Sequence, residues 1–474
     1  MSFSNLLFLV LFLPVYLLAY YFQPDIKRKN TVFLIASLVF YAFGGIRYLF
    51  LLVAMAAAGW YFGIQVGQAK GTRRKRLLAL SIAVFLAVLA FFKYTGFLFS
   101  VLETWLPKIP AVKFALPLGI SFYTFKLISY VADVYHERIS VESNFFMILL
   151  YVCNFHQISQ GPIARYGEMR GRMRKRRLTT AHMADGIWRF SLGLAKKTVL
   201  ADHCGEIADT LIPLNAGIVS RSTFAVWMGA AVYSIQLYLD FSAYTDMAIG
   251  LGQMIGFSYP ENFRDPYISS SVREFWRRWH NTLSTFFRDF VYIPLGGNRV
   301  SSGRTVLNLL IVWTLTGLWH GAAWNFVLWG LYYFVFIALE QRGAHAGISV
   351  RNPVLRHVYT ILVFTFGWLI FRYSDFGQLG CAVRGFFGMA GNGFYSAGDG
   401  LTIANNIWFL IFCVLCCTPL FKEVSTRFRN FAEHRENPGE IFMAAKSVLI
   451  ILFLILSILS MTGNTYRPFL YNQF

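Results

Sequence analysis

SVREFWRRWHNTLSTFFRDFVYIPLGGNRV, residues 271–300, is followed after SSGR by TVLNLLIVWTLTGLWHGAAWNF, residues 305–326. Two Trp-His pairs, Trp279-His280 and Trp319-His320, punctuate this stretch. The second pair lies in a run without Lys, Arg, Asp or Glu that extends from residue 305 to residue 339. As one straight helix that run would be about 50 Å long, well beyond a hydrocarbon core of ~30 Å. It is therefore expected to break, and Gly317 and Gly321 bracket the break. His320 then sits at membrane depth beside a helix junction, where irregular backbone must be buried in protein or line a wet cavity. A titratable residue at that depth is a candidate functional group. The competing reading is a structural histidine that donates to a carbonyl between helices.

The first pair lies on an arginine-rich segment. Placed on one helix at about 100° per residue, residues 272–290 put Trp276, His280, Leu283 and Phe287 on one face. Glu274, Arg277, Arg278, Arg288 and Asp289 fall on a separate arc, with Arg273 beside His280 between the two sets. This pattern reads as an interfacial helix lying on a membrane, with His280 where the apolar stripe meets the arginines. The alternative for His280 is a polar residue satisfied within the packing.

Composition bounds the rest. The chain has 474 residues, of which 56% are hydrophobic and only 14% charged, against about 25% charged in soluble domains. Charge-free runs recur at 6–21, 31–46, 48–69, 77–92, 223–239, 402–421 and 447–465. The chain is an all-α polytopic membrane protein. The net charge of +20 comes from basic clusters in short loops between spans, the positive-inside pattern, so nucleic-acid binding is not expected. Six cysteines without a paired extracellular pattern argue against a disulfide framework, and no metal-ligand spacing occurs.

Charge bias sets a topology. Lys27, Arg28 and Lys29 and the cluster KGTRRKR at 70–76 are assigned to the cytoplasm, which places both termini outside. The seven basic residues between Arg165 and Arg177 read as anchors to anionic headgroups, or as a surface for an anionic substrate. Gln236, Asp240 and Tyr244 share one face of an apolar span that also holds Asp246. These acids either orient a histidine or bond neighbouring helices.

The order EFWRRWH (Glu274–His280), LGGNR (Leu295–Arg299) and LWHGA (Leu318–Ala322) resembles the membrane-bound O-acyltransferase (MBOAT) family in its bacterial branch, nearest the alginate O-acetyltransferase type. LYLDFSAYTDMAIGLG from Leu237, ENFRDPYISSSVREFWRRWH from Glu261, FSNLLFLVLFLP from Phe3 and LPLGISFY from Leu116 carry the same likeness. It covers nearly the whole chain to about residue 340 and is weaker beyond, except at the end.

The resemblance implies one integral membrane domain over 1–474: N-terminal spans at 1–135, a catalytic core at 136–340, and C-terminal spans with an acceptor-like tail at 341–474. About a dozen transmembrane helices, with re-entrant or interfacial helices, would surround a central funnel that reaches His320. It maps the family histidine onto His320 and the second histidine of the bacterial branch onto His280. Trp279, Trp319, Asp240, Asp246 and Asn298 become supporting residues. Arg273, Arg277 and Arg278 become candidates for holding donor phosphates, with lipid headgroups as the alternative. The end of the chain, FLYNQF (Phe469–Phe474), matches a short motif that presents a tyrosine as acyl acceptor, here Tyr471.

The activity so implied is O-acyl transfer from a cytoplasmic thioester, acetyl-CoA or an acyl carrier protein, across a bacterial cytoplasmic (inner) membrane. The acceptor would be an extracellular or cell-wall polysaccharide, with an SGNH-type extracytoplasmic partner and no bound cofactor. D-alanyl transfer to teichoic acid, a transporter and a scaffold are the alternatives.

Overall fold

The computed structural model describes residues 1–105, 115–347, 350–432, 438–463 and 468–470. Helices and their connecting turns make up the described residues, with no strand among them. Five helices are long and apolar enough to cross a membrane: Ile46–Gln68, Gly71–Glu103, Thr223–Met254, Pro353–Arg372 and Phe442–Gly463. The pair Ala397–Asn405 and Ile407–Cys416, bent by 60°, makes a sixth if counted as one span. Other apolar stretches form shorter helices. Phe145–Cys153, for example, is 9 residues long and rises only about 14 Å, too little to cross a bilayer.

The chain divides into two compact units. The first comprises Met1–Phe190, Tyr244–Glu261 and Arg288–Val291. Its apolar centre is built on Phe155, whose ring packs edge-on against Phe12 at 5.4 Å and Tyr16 at 5.2 Å, and tilted against Phe40 at 5.3 Å. The basic cluster at 165–177 is partly turned inward here. Arg176 is buried and donates to the Tyr20 hydroxyl and to Asn30 Oδ1, both at 2.8 Å. Arg174 pairs with the buried Glu142 at 2.8 Å, and Arg165 with Asp289. Burial alone would raise Asp289, but hydrogen bonds from Arg288 and Arg165 outweigh it and hold the carboxyl below its usual range. These arginines therefore serve the packing of their own unit before any headgroup.

Asp246 also belongs to this unit. It accepts from Arg189 at 3.1 Å, and the same guanidinium pairs with Glu261 at 2.6 Å. Lys126 is buried and donates to the Tyr151 carbonyl and to Gln157 Oε1, both at 3.1 Å.

The second unit comprises Ser191–Ala243, Asn262–Phe287 and Tyr292–Phe474. Arg372, at the end of the Pro353–Arg372 helix, is buried and donates to the Ile212 carbonyl (Nε 3.1 Å, Nη2 2.9 Å) and to Asp209 at 2.7 Å. After Arg372 the chain forms a further helix, Phe376–Phe386. The six cysteines are free thiols.

Candidate active site

Both Trp-His pairs lie in the second unit. The charge-free run breaks at the expected place: one helix is Ser302–His320, the next is Trp324–His345, and Gly321 between them is extended. The two helices pack backbone to backbone. A Cβ at Gly317 would meet the Phe326 carbonyl oxygen at 2.3 Å, and one at Gly330 would meet the Trp313 carbonyl oxygen at 2.4 Å. Neither oxygen can move without breaking helix geometry, so only glycine allows this approach. The hairpin carries His320 at its turn.

His320 is buried, 4% exposed, in an aromatic setting. Its ring lies edge-on to Trp329 at 4.8 Å, Trp319 at 5.0 Å and Phe371 at 5.3 Å. Buried Asn325 donates to the Phe371 carbonyl at 3.0 Å, which fixes the end of the Pro353–Arg372 helix against the hairpin turn. Trp329 also meets Trp276 edge-on at 5.3 Å, and Trp276 meets Trp313 at 5.0 Å and Tyr333 at 4.8 Å. Edge-to-face pairs of this kind contribute about 0.5–1.5 kcal/mol each beyond their burial. The aromatic cluster thereby joins the arginine-rich segment to the hairpin.

That segment is not one amphipathic helix. Val272–Arg278 and Asn281–Phe287 are separate helices, and His280 between them has φ +44°, in the left-handed region. A non-glycine residue there is uncommon and is held by its surroundings. The reason is Asn262. Its Oδ1 accepts from Thr282 N–H at 3.3 Å, from the Thr282 hydroxyl at 2.9 Å and from His280 Nδ1 at 3.0 Å, while its backbone oxygen accepts from Asn281 N–H at 3.0 Å. A backbone N–H only donates, so the amide oxygen faces this cluster and His280 Nδ1 carries the proton. The Nε2 lone pair is then the reactive one. Burial pushes the His280 pKa down to about 3, so its imidazole stays neutral at ordinary pH.

One ring connects the two histidines. Trp319 lies 5.8 Å from the His280 ring and 5.0 Å from that of His320. Trp279 is fully buried among Phe263 at 5.1 Å, Trp368 at 4.8 Å and Phe275 at 5.6 Å. It supports the cluster.

The arginines differ from one another. Arg273 pairs with Glu340 at 3.5 Å, and Glu340 also accepts from the backbone N–H of Val272 and Arg273, capping that helix. Arg278 pairs with Glu274 at 2.7 Å, whereas Arg277 is exposed. Asn298 is exposed on the LGGNR turn, and the residue that braces the turn is Asn308, donating to the Leu295 and Gly297 carbonyls at 3.1 Å. Asp240 accepts from Lys197 at 2.7 Å and from Leu470 N–H at 2.9 Å. Tyr471 lies outside the described residues. Asn262, Asn325, Trp329 and Lys197 are the residues that sequence reasoning missed. Asn262 stood inside the ENFRDP motif without a feature that marks it as a partner of His280.

Asn262→Leu keeps the volume and removes the acceptor. It is expected to lower turnover about tenfold or more and to cost about 1–3 kcal/mol through the unsatisfied Nδ1–H. Rates and melting temperature measured on the purified protein in detergent check both parts. Unchanged turnover would show that the His280 tautomer is irrelevant.

Residues 82–374 match MBOAT, the membrane-bound O-acyltransferase family. The chain is 41% identical over 384 residues to a probable alginate O-acetylase AlgI of Pseudomonas aeruginosa, covering 79% of this chain and 72% of that protein. It is 35% identical over 495 residues to the protein of the same description in Pseudomonas putida, covering all of both. With a peptidoglycan O-acetyltransferase of Helicobacter pylori it shares 34% identity over 426 residues, 82% of this chain and 80% of that protein. The hairpin with His320 at its turn, the Asn262-fixed His280 and the apolar spans are thus parts of a multi-pass membrane acyltransferase, and the chain belongs to the membrane-bound O-acyltransferase family.

Proposed function

We propose that this chain O-acetylates a polysaccharide outside a bacterial cytoplasmic membrane, using a thioester donor from the cytoplasm. The observation that carries the reading is the pair of buried imidazoles bridged by Trp319. The acceptors named for the similar proteins, alginate and peptidoglycan, supply the substrate class. In the reaction a hydroxyl oxygen attacks the thioester carbonyl and forms the ester bond. The carbon–sulfur bond breaks, and the hydroxyl proton passes to neutral His320 and on to the leaving thiolate. His280, with Nε2 as acceptor, orients the hydroxyl or the donor.

Acetyl-CoA is the proposed donor, and the exposed Arg277 is the group proposed to meet one of its phosphates, since a guanidinium can do so bidentately. Charge bias at residues 27–29 and 70–76 supports termini on the outer side. The tail with Tyr471 then receives the acetyl group and passes it to an SGNH-type partner or directly to the glycan.

The test is the O-acetyl content of extracellular polysaccharide by NMR in a deletion strain, with and without the gene restored. Loss on deletion and return on complementation is the expected result. Unchanged acetyl content with altered export of the polymer would point to a transporter. A finer prediction concerns the arginines. Arg277→Gln is expected to raise the KM for acetyl-CoA about three- to tenfold, as the loss of one charge-assisted contact does. Arg278→Gln, which breaks an internal ion pair, is expected to leave that KM within about twofold. Initial rates over a donor titration separate the two.

A further inference from the structure

The last described residues of the chain are not a loose end. The Lys197 ammonium, on the π-helical turn Lys196–Ala201, donates to Asp202 and to Asp240 at 2.7 Å each. It also reaches the Pro468 carbonyl at 3.4 Å and lies 4.7 Å from the centre of the Phe469 ring. Asp240 spends one carboxylate oxygen on Lys197 and the other on the Leu470 N–H at 2.9 Å. The Lys197 and Asp240 side chains are each 2% exposed, and Phe469 is fully buried. A second bond ties the last helix to the same turn: Ser460 Oγ donates to the Thr198 carbonyl at 2.7 Å.

Burying an ion pair is costly unless its remaining hydrogen-bonding positions are filled. Here the C-terminal segment fills them. Its N–H donates to the second Asp240 oxygen, its carbonyl accepts a hydrogen bond from the lysine ammonium, and its phenyl ring meets the cation on its face. Removing Pro468–Leu470 would uncover a buried carboxylate oxygen and empty the space of a phenylalanine. We infer that Lys197 and Asp240 form a seat for the chain's own C-terminal segment and act as positioning residues for acyl transfer. Leu470 is the residue before Tyr471, so the seat limits where the acceptor phenol can be delivered. The functional half of this inference rests on Tyr471 being the acyl acceptor; the seat itself does not.

The experiment uses the full chain, tagged at its N-terminus and purified in detergent. Carboxypeptidase Y trims the C-terminus, and intact mass follows the products. In the unmodified protein trimming is expected to stall at or after Leu470. In Asp240→Asn, and in Phe469→Ala, which leaves the ion cluster intact, it is expected to pass Leu470 at least about tenfold faster, as loss of local protection does. Equal trimming in all three proteins overturns the seat. Both variants are also expected to lose about tenfold in kcat for polysaccharide acylation with the donor KM unchanged, and Lys197→Arg to retain most of it. A loss confined to melting temperature would make the cluster merely structural and overturn the positioning role. Tyr471→Phe separates this inference from the relay. Full acylation in that variant removes the relay and the positioning role built on it, while trimming still decides the seat. Lost acylation in that variant, together with unaltered trimming in Asp240→Asn, removes the seat and keeps the relay.

Discussion

His320→Ala is expected to lower acyl transfer by about 10²–10⁴-fold, the range that follows removal of a general base. The ring it removes is 4% exposed and packed against Trp319, Trp329 and Phe371, so alanine also leaves a cavity. That cavity costs about 1–3 kcal/mol of stability. His320→Gln separates the two effects, because it refills much of the space with a side chain that cannot take up a proton at neutral pH. Both variants are expected to lose transfer of radiolabelled acetyl from the thioester, and only the alanine form to melt early. Donor binding, read by equilibrium dialysis, is expected to persist in both. A glutamine variant that retains acetylation within about threefold would remove His320 from the chemistry and leave it as a buried donor between helices.

The hairpin that carries His320 was legible in sequence because it rests on local rules. A run of 35 uncharged residues is too long for one crossing, and glycines mark where it folds back. The structure places the break at Gly321, and Gly317 and Gly330 explain why the two helices lie so close. The arginine-rich segment was not legible in the same way. A helical wheel assumes continuous α geometry, and His280 leaves it at φ +44°. The cause sits 18 residues upstream, at Asn262, which competes for the backbone and side-chain donors of residues 280–282. Periodicity carries no trace of such a long-range partner.

The intramembrane acids show the same limit. Spacing put Gln236, Asp240 and Tyr244 on one face and left open what the carboxylates hold. Their partners are basic groups, Lys197 for Asp240 and Arg189 for Asp246. Both partners lie outside the acids' own span, Arg189 on the helix Thr180–Ala195 and Lys197 on the turn that follows it. Much of the 165–177 basic cluster likewise serves internal carboxylates and tyrosines, which net charge cannot reveal. Span counting from charge-free runs overlooks short and bent helices, because composition records apolarity and does not record length between breaks.

Tyr471→Phe is expected to lower polysaccharide acetylation by about 10²-fold or more, since it deletes the one atom that would form the ester. Phenylalanine keeps the ring and removes only the hydroxyl, so expression and melting temperature are expected to stay at their normal values. Donor binding should also be intact, because the donor meets the site from the opposite side of the bilayer in the proposed topology. The residues just before it have a fixed address: Phe469 is fully buried and the Leu470 N–H is held by Asp240. A phenol has an ordinary pKa near 10, so its attack on a thioester at neutral pH needs a base. In the proposed reaction that base is His320, which makes the two substitutions equivalent in polymer acetylation and different in one respect. In a strain lacking the extracytoplasmic partner, the unmodified protein is expected to accumulate an acetylated C-terminal peptide, detectable as a mass gain on Tyr471, and His320→Gln is expected to show none. Full polymer acetylation by Tyr471→Phe would assign the acceptor hydroxyl to a partner or to the glycan itself, with His320 keeping its role as base.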